Sequence, residues 1–89
     1  MDLSGKIPTG GRDAAVRELD LRGLRCPLPA LRTRKSLNAM ALGERLIVLA
    51  DDPLAAIDIA HLCSEDGHRL VKTRSEAGAM QFEIVAGME

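Results

Sequence analysis

The sequence predicts an α/β (α+β) two-layer sandwich of order βαβαββ, a four-stranded mixed sheet with two helices on one face. Three observations lead there. Eighty-nine residues suffice for one domain and not for two. Runs of strand length are separated by longer segments whose apolar residues recur at spacings of three and four. The last two runs are divided only by a turn, so the chain ends in a hairpin and the sheet must be mixed.

The elements follow in order. Residues 1–16 contain Gly5, Pro8, Gly10 and Gly11 with scattered charges and no period, and are expected to form a flexible tail before a single domain at 17–89. Leu19 and Leu21 alternate with Glu18, Asp20 and Arg22, a short strand with one buried face, and Gly23 breaks the pattern. Cys26-Pro27-Leu28-Pro29 reads as a helix start, because proline is tolerated in a first turn whose N–H groups lack intrahelical acceptors. Cys26 is the expected N-cap, with Pro27 at N1 and Pro29 at N3. Ala30, Thr33, Leu37 and Met40 fall on one stripe of this helix, which Gly43 is expected to end.

The run from Arg45 to Ala50 is nearly all apolar and suits a central strand. Asp51-Asp52-Pro53 then offers a capping acid before a proline, opening a second helix whose apolar positions include Ala56, Ile59, Leu62 and Cys63 and which closes at Gly67. The runs Arg69–Arg74 and Gln81–Val85 make the hairpin, with a loop of about three to five residues around Glu76-Ala77-Gly78.

Composition removes several classes of function. Twelve basic against thirteen acidic residues give a formal net charge of −1, without the broad cationic field of a non-specific nucleic-acid binder. Phe82 is the only aromatic residue, so no stacking platform for single-stranded bases can be built. No apolar run approaches the ~20 residues that span a bilayer. The first eleven residues lack the charged-then-apolar order of a secretory signal, and a cytoplasmic protein is expected. Two cysteines and two histidines occur without a C-x-x-C or an H-x₃-H pair, which argues against structural zinc.

Cys26 is the candidate for chemistry. At a helix N-terminus its sulfur lies beside the positive end of the macrodipole, which favours thiolate, and Arg22, Arg25 and Arg32 add positive charge. An ordinary thiol is only about 3% ionised at neutral pH; the upper end of the dipole effect raises that to about half. Pro27 and Pro29 supply no N–H, so a sulfur anion here is expected to keep few hydrogen bonds and stay exposed. Pro29 also stands where a C-x-x-C enzyme carries its resolving thiol. The competing reading is a small apolar residue at a turn, the commoner role of a lone cysteine before proline. Cys63, deep in an apolar stripe, is expected to be a buried structural residue.

The run Leu19-Asp20-Leu21-Arg22-Gly23-Leu24-Arg25-Cys26-Pro27-Leu28-Pro29 resembles the signature of the TusA-like, or SirA-like, sulfur-carrier family. The likeness continues through Arg34-Lys35, Gly43-Glu44, Ala50-Asp51-Asp52-Pro53, Asp58-Ile59 and Cys63 with His68-Leu70-Val71, about residues 18 to 86. The resemblance implies the same sandwich and a sulfur-carrier role: Cys26 accepts sulfane sulfur as a persulfide from a cysteine desulfurase or rhodanese and relays it to an acceptor protein. In one branch of the family the sulfur ends in tRNA thiolation; others feed molybdenum-cofactor maturation or sulfur oxidation.

Such a sulfurtransferase is a relay rather than a turnover enzyme with a substrate pocket, and it requires no metal or cofactor. Gly23, Arg25, Pro27 and Pro29 are the supporting motif residues, and the Asp51-Asp52-Pro53 match reads as a helix cap. Arg22, Arg25, Arg32, Arg34 and Lys35 form either a basic rim for docking an acidic partner surface or a solvated helix face. The alternative functions are a non-catalytic regulatory or interaction module of the same fold, in which Cys26 merely caps the helix, and an RNA binder, which the charge and the single aromatic ring disfavour.

Overall fold

A computed structural model describes residues 16–87 of the chain. The order is β1 (Val16–Asp20), α1 (Leu28–Asn38), β2 (Arg45–Ala50), α2 (Ala55–Asp66), β3 (Arg69–Glu76) and β4 (Ala79–Val85). Among the described residues the strands form one four-stranded mixed sheet in the order β1-β2-β4-β3. The β1–β2 pair is parallel, with Leu19 opposite Val48, whereas β4 runs antiparallel to both β2 and β3. The expected tail concerns residues that, apart from Val16, lie outside those described; β1 begins at Val16.

Alternation along the two central strands builds the core. Leu46, Val48 and Ala50 of β2 are buried, and register places Leu46 opposite Ile84 and Val48 opposite Phe82 of β4. Leu37 from α1 and Ala55, Ile59, Leu62 and Cys63 from α2 close over these residues in one cluster. Both helices therefore occupy one face, since period-2 side chains of a single register meet both. On the other face Ile47, Leu49, Gln81, Glu83 and Val85 are half-buried.

The structure moves three sequence-derived boundaries. Pro27, not Cys26, is the N-cap of α1, so Leu28 takes N1 and Pro29 takes N2; Cys26 lies one residue outside the helix. The helix ends at Asn38 with Ala39 as C-cap, and the chain makes a further turn before Gly43, whose N–H donates to the Ala86 carbonyl. At α2 the N-cap is Leu54. Asp52 acts two residues earlier, its carboxylate accepting the Leu54 N–H at 3.2 Å and its carbonyl the Ala55 N–H at 3.0 Å. An acid followed by proline thus forms an Asx-type turn that leads into the helix.

Gly67 terminates α2 in the left-handed conformation, as its position predicts. The β3–β4 hairpin is tighter than expected: Ala77 and Gly78 alone connect the strands, both at positive φ. A register shift between Leu70 and Lys72 sets Val71 out of the ladder as a bulge.

Candidate functional site

Parallel pairing of β1 with β2 sends both chains out at the same edge of the sheet, and each then turns directly into a helix. Open α/β sheets gather functional groups at this carboxyl edge because consecutive strand-to-helix loops converge there. Here the two loops are tied together. Asp51, the first residue after β2, accepts the Gly23 N–H at 2.9 Å and an Arg25 guanidinium N–H at 3.4 Å. The Leu24 N–H donates to the Leu21 carbonyl and the Leu28 N–H to the Arg25 carbonyl, closing two successive turns around Cys26. Gly23 adopts φ of +90°, a conformation open to glycine at little cost.

Cys26 is exposed, and its Sγ–H donates to Asp58 Oδ2 at 3.0 Å. Asp58 stands in the first turn of α2, half-buried, so the starts of both helices meet over this one contact. The expected dipole-assisted acidity of Cys26 is overturned. Its hydrogen bond to Asp58 pushes the thiol above its ordinary pKa, with smaller contributions from partial desolvation and from the charges of Asp58 and Asp52. A full negative charge in contact outweighs the roughly half-charge at a helix end, and Cys26 lies outside that end in any case. The Leu28 N–H does not serve the sulfur, because it donates to the Arg25 carbonyl.

The other candidate residues fall into two groups. Gly23, Arg25 and Pro27 surround Cys26, and Pro29 is buried beneath the start of α1. The basic residues do not form a uniform rim. Arg22 chelates Asp20 through Nε and Nη2 at 2.9 and 2.7 Å, holding that carboxyl down to about 2. Arg34 crosses to α2, where Nε meets Asp66 at 2.7 Å and Nη2 reaches Glu65 at 3.4 Å. Among the described residues Arg32 and Lys35 make no ion pair.

The starts of the two helices also carry exposed apolar side chains. Leu28 and Leu31 on α1 and Leu54 and Ile57 at the start of α2 all expose their side chains. Asp58 was not a sequence-derived candidate. It lies 32 residues from Cys26, and the sequence signals it only through the Asp58-Ile59 match of the family likeness and its position one turn into a helix that starts beside α1. Cys63, by contrast, is sealed in the core as expected, and burial, helped by the charge of Asp66, pushes its thiol up to about 11.

A four-stranded mixed sheet of order βαβαββ, two helices on one face and an exposed cysteine opening the first of them define a small sandwich of the SirA-like type. The solved SirA-like protein from Desulfitobacterium hafniense superposes on 80% of this chain and 97% of its own, with a TM-score of 0.72 and 25% identity. The sulfur carrier protein TusA of Allochromatium vinosum is 43% identical over 68 residues, covering 76% of this chain and 90% of that protein. The family profile described as sulfurtransferase TusA matches residues 17–85, and the chain belongs to that family.

Proposed function

We propose that this protein is a sulfur carrier that accepts sulfane sulfur as a persulfide on Cys26 and passes it to an acceptor protein. The observation that carries the reading is the contrast between its two thiols: Cys26 is exposed where two loops and two helix starts converge, whereas Cys63 is buried. Family membership and the 43% identity to a sulfur carrier point the same way.

Loading is an exchange at sulfur. Cys26 gives up its proton, and its thiolate attacks the outer sulfur of a donor perthiol. The Sγ–S bond forms as the donor S–S bond breaks, and the departing donor thiolate takes up a proton. One sulfur atom moves without any net oxidant or reductant. Delivery repeats the step with an acceptor thiolate as nucleophile.

The donor is a cysteine desulfurase or a rhodanese, the acceptor a second protein thiol, and the route tRNA thiolation or another sulfur-trafficking pathway in the cytoplasm. No helix among the described residues is long and apolar enough to cross a membrane. Docking uses the exposed apolar side chains of Leu28, Leu31, Leu54 and Ile57 together with the exposed cations Arg32 and Lys35.

Mass spectrometry after incubation with a desulfurase and cysteine tests the proposal. The expected result is an adduct of one sulfur atom confined to the peptide holding Cys26, and lost in Cys26→Ser while the circular dichroism spectrum stays unchanged. An adduct on Cys63 instead, or none with several desulfurases and rhodaneses, rejects it.

A further inference from the structure

We propose that Asp58 is a positioning residue of this carrier, holding empty Cys26 as a hydrogen-bonded thiol and repelling the loaded persulfide, so that sulfur is handed on rather than retained. This inference rests on the sulfur-carrier reading of Cys26. It begins from one contact, the 3.0 Å hydrogen bond from Sγ to Asp58 Oδ2 across two different loops.

An ionised carboxylate only accepts hydrogen bonds, so it suits a partner that carries a proton. Asp58 stands in the first turn of α2. Empty Cys26 has the proton to give. A persulfide is a stronger acid than its parent thiol and at neutral pH carries its charge on the outer sulfur. The inner sulfur then presents only lone pairs to Asp58, and an anion sits within one bond of it.

Among the described residues two charges act on the thiol. Asp58 comes from α2 and Asp52, only 7% exposed, from the turn before it; both are negative. Arg25, adjacent in the chain, bonds Asp51. The elevated pKa of the empty thiol has the same sign as this arrangement. In the exchange of Cys26–SH with a perthiol R–S–SH, giving Cys26–S–SH and R–SH, Asp58 therefore stabilises the reactant form of the carrier and destabilises the product. It lowers the share of loaded carrier at equilibrium and raises the tendency of bound sulfur to leave.

The test compares the full-length protein with Asp58→Asn and Asp58→Glu. In the first measurement, empty protein is alkylated with iodoacetamide across pH and modification is followed at the Cys26 peptide. Asp58→Asn is expected to move the profile to lower pH by about one unit, an approximately tenfold faster reaction near neutral pH, while Asp58→Glu stays near wild type. In the second, each protein is equilibrated with glutathione persulfide and glutathione at a fixed ratio. The loaded fraction of Cys26 is expected to be several-fold higher in Asp58→Asn.

Superimposable alkylation profiles, or an equal loaded fraction in wild type and Asp58→Asn, overturn the role of Asp58 while leaving the carrier reading standing. Failure of Cys26 to load in every variant, with alkylation intact, overturns the carrier reading and this inference with it.

Discussion

The two cysteines show how one side chain takes opposite properties from its surroundings. Both thiols are held above the ordinary value, but for different reasons: Cys26 by a carboxylate it touches, Cys63 chiefly by burial. For Cys63 the consequence is a dependence of stability on pH. Its folded-state value of about 11 exceeds the ordinary 9.0, so above pH 9 the unfolded chain loses a proton that the folded chain keeps. The stabilisation is complete below pH 9 and is lost as pH rises from 9 towards 11. Urea denaturation at intervals across that range should show midpoints falling less steeply in Cys63→Ala than in wild type. Equal slopes in the two proteins would exclude a contribution from Cys63. Cys26 titrates in both proteins and cancels from the comparison. The sequence made this buried thiol legible through its place in an apolar stripe. It gave no sign of the state of Cys26, because a helix-start cysteine read alone has a dipole beside it and no Asp58.

At the scale of elements, legibility followed the strength of the local signal. The nearly continuous apolar run Arg45–Ala50 and the three-and-four spacing through Ile59, Leu62 and Cys63 place a strand and a helix without tertiary information, because burial is what each pattern encodes. Helix starts were displaced by one or two residues. Pro27 and Pro29 restrict the backbone of several adjacent positions equally well, and Asp52 bonds a turn as readily as a helix terminus. The hairpin loop is shorter than expected for a specific reason. A two-residue connection with φ positive at both positions favours Asn or Gly at each, and the first is Ala77, at φ +49°. An alanine there bears the crowding of Cβ against backbone that glycine avoids. Ala77→Gly is therefore expected to stabilise the protein by about 0.5–1 kcal/mol, the strain relieved exceeding the added freedom of the unfolded chain. Thermal melts should show Tm rising by a few degrees; a fall would mean that the turn relaxes out of the left-handed region in solution.

Over the whole molecule, the last strand in sequence is an inner strand in space. β4 pairs with β2 on one side and β3 on the other, so the sheet cannot close until the C-terminal segment arrives. Phe82 sits at the middle of that strand, fully buried, and is the largest side chain in the core. A domain this small draws only about 3–5 kcal/mol net from its core. Phe82→Ala removes about 3–5 kcal/mol, enough to leave most of the chain unfolded, whereas Phe82→Leu is expected to cost about 1–2 kcal/mol and remain folded. Urea denaturation distinguishes the two, with a lower midpoint and an unchanged slope for Phe82→Leu. The reactive edge should be indifferent to that loss. Cys26 is positioned by Asp51, Asp58 and the turns around Gly23 and Arg25; those four residues lie outside the cluster around Phe82, which the Gly23 turn meets through Leu21 and Leu24. The iodoacetamide pH profile of Cys26 in Phe82→Leu is accordingly expected to superimpose on that of wild type under native conditions. A displaced profile would show that core packing sets the helix starts closely enough to govern the thiol.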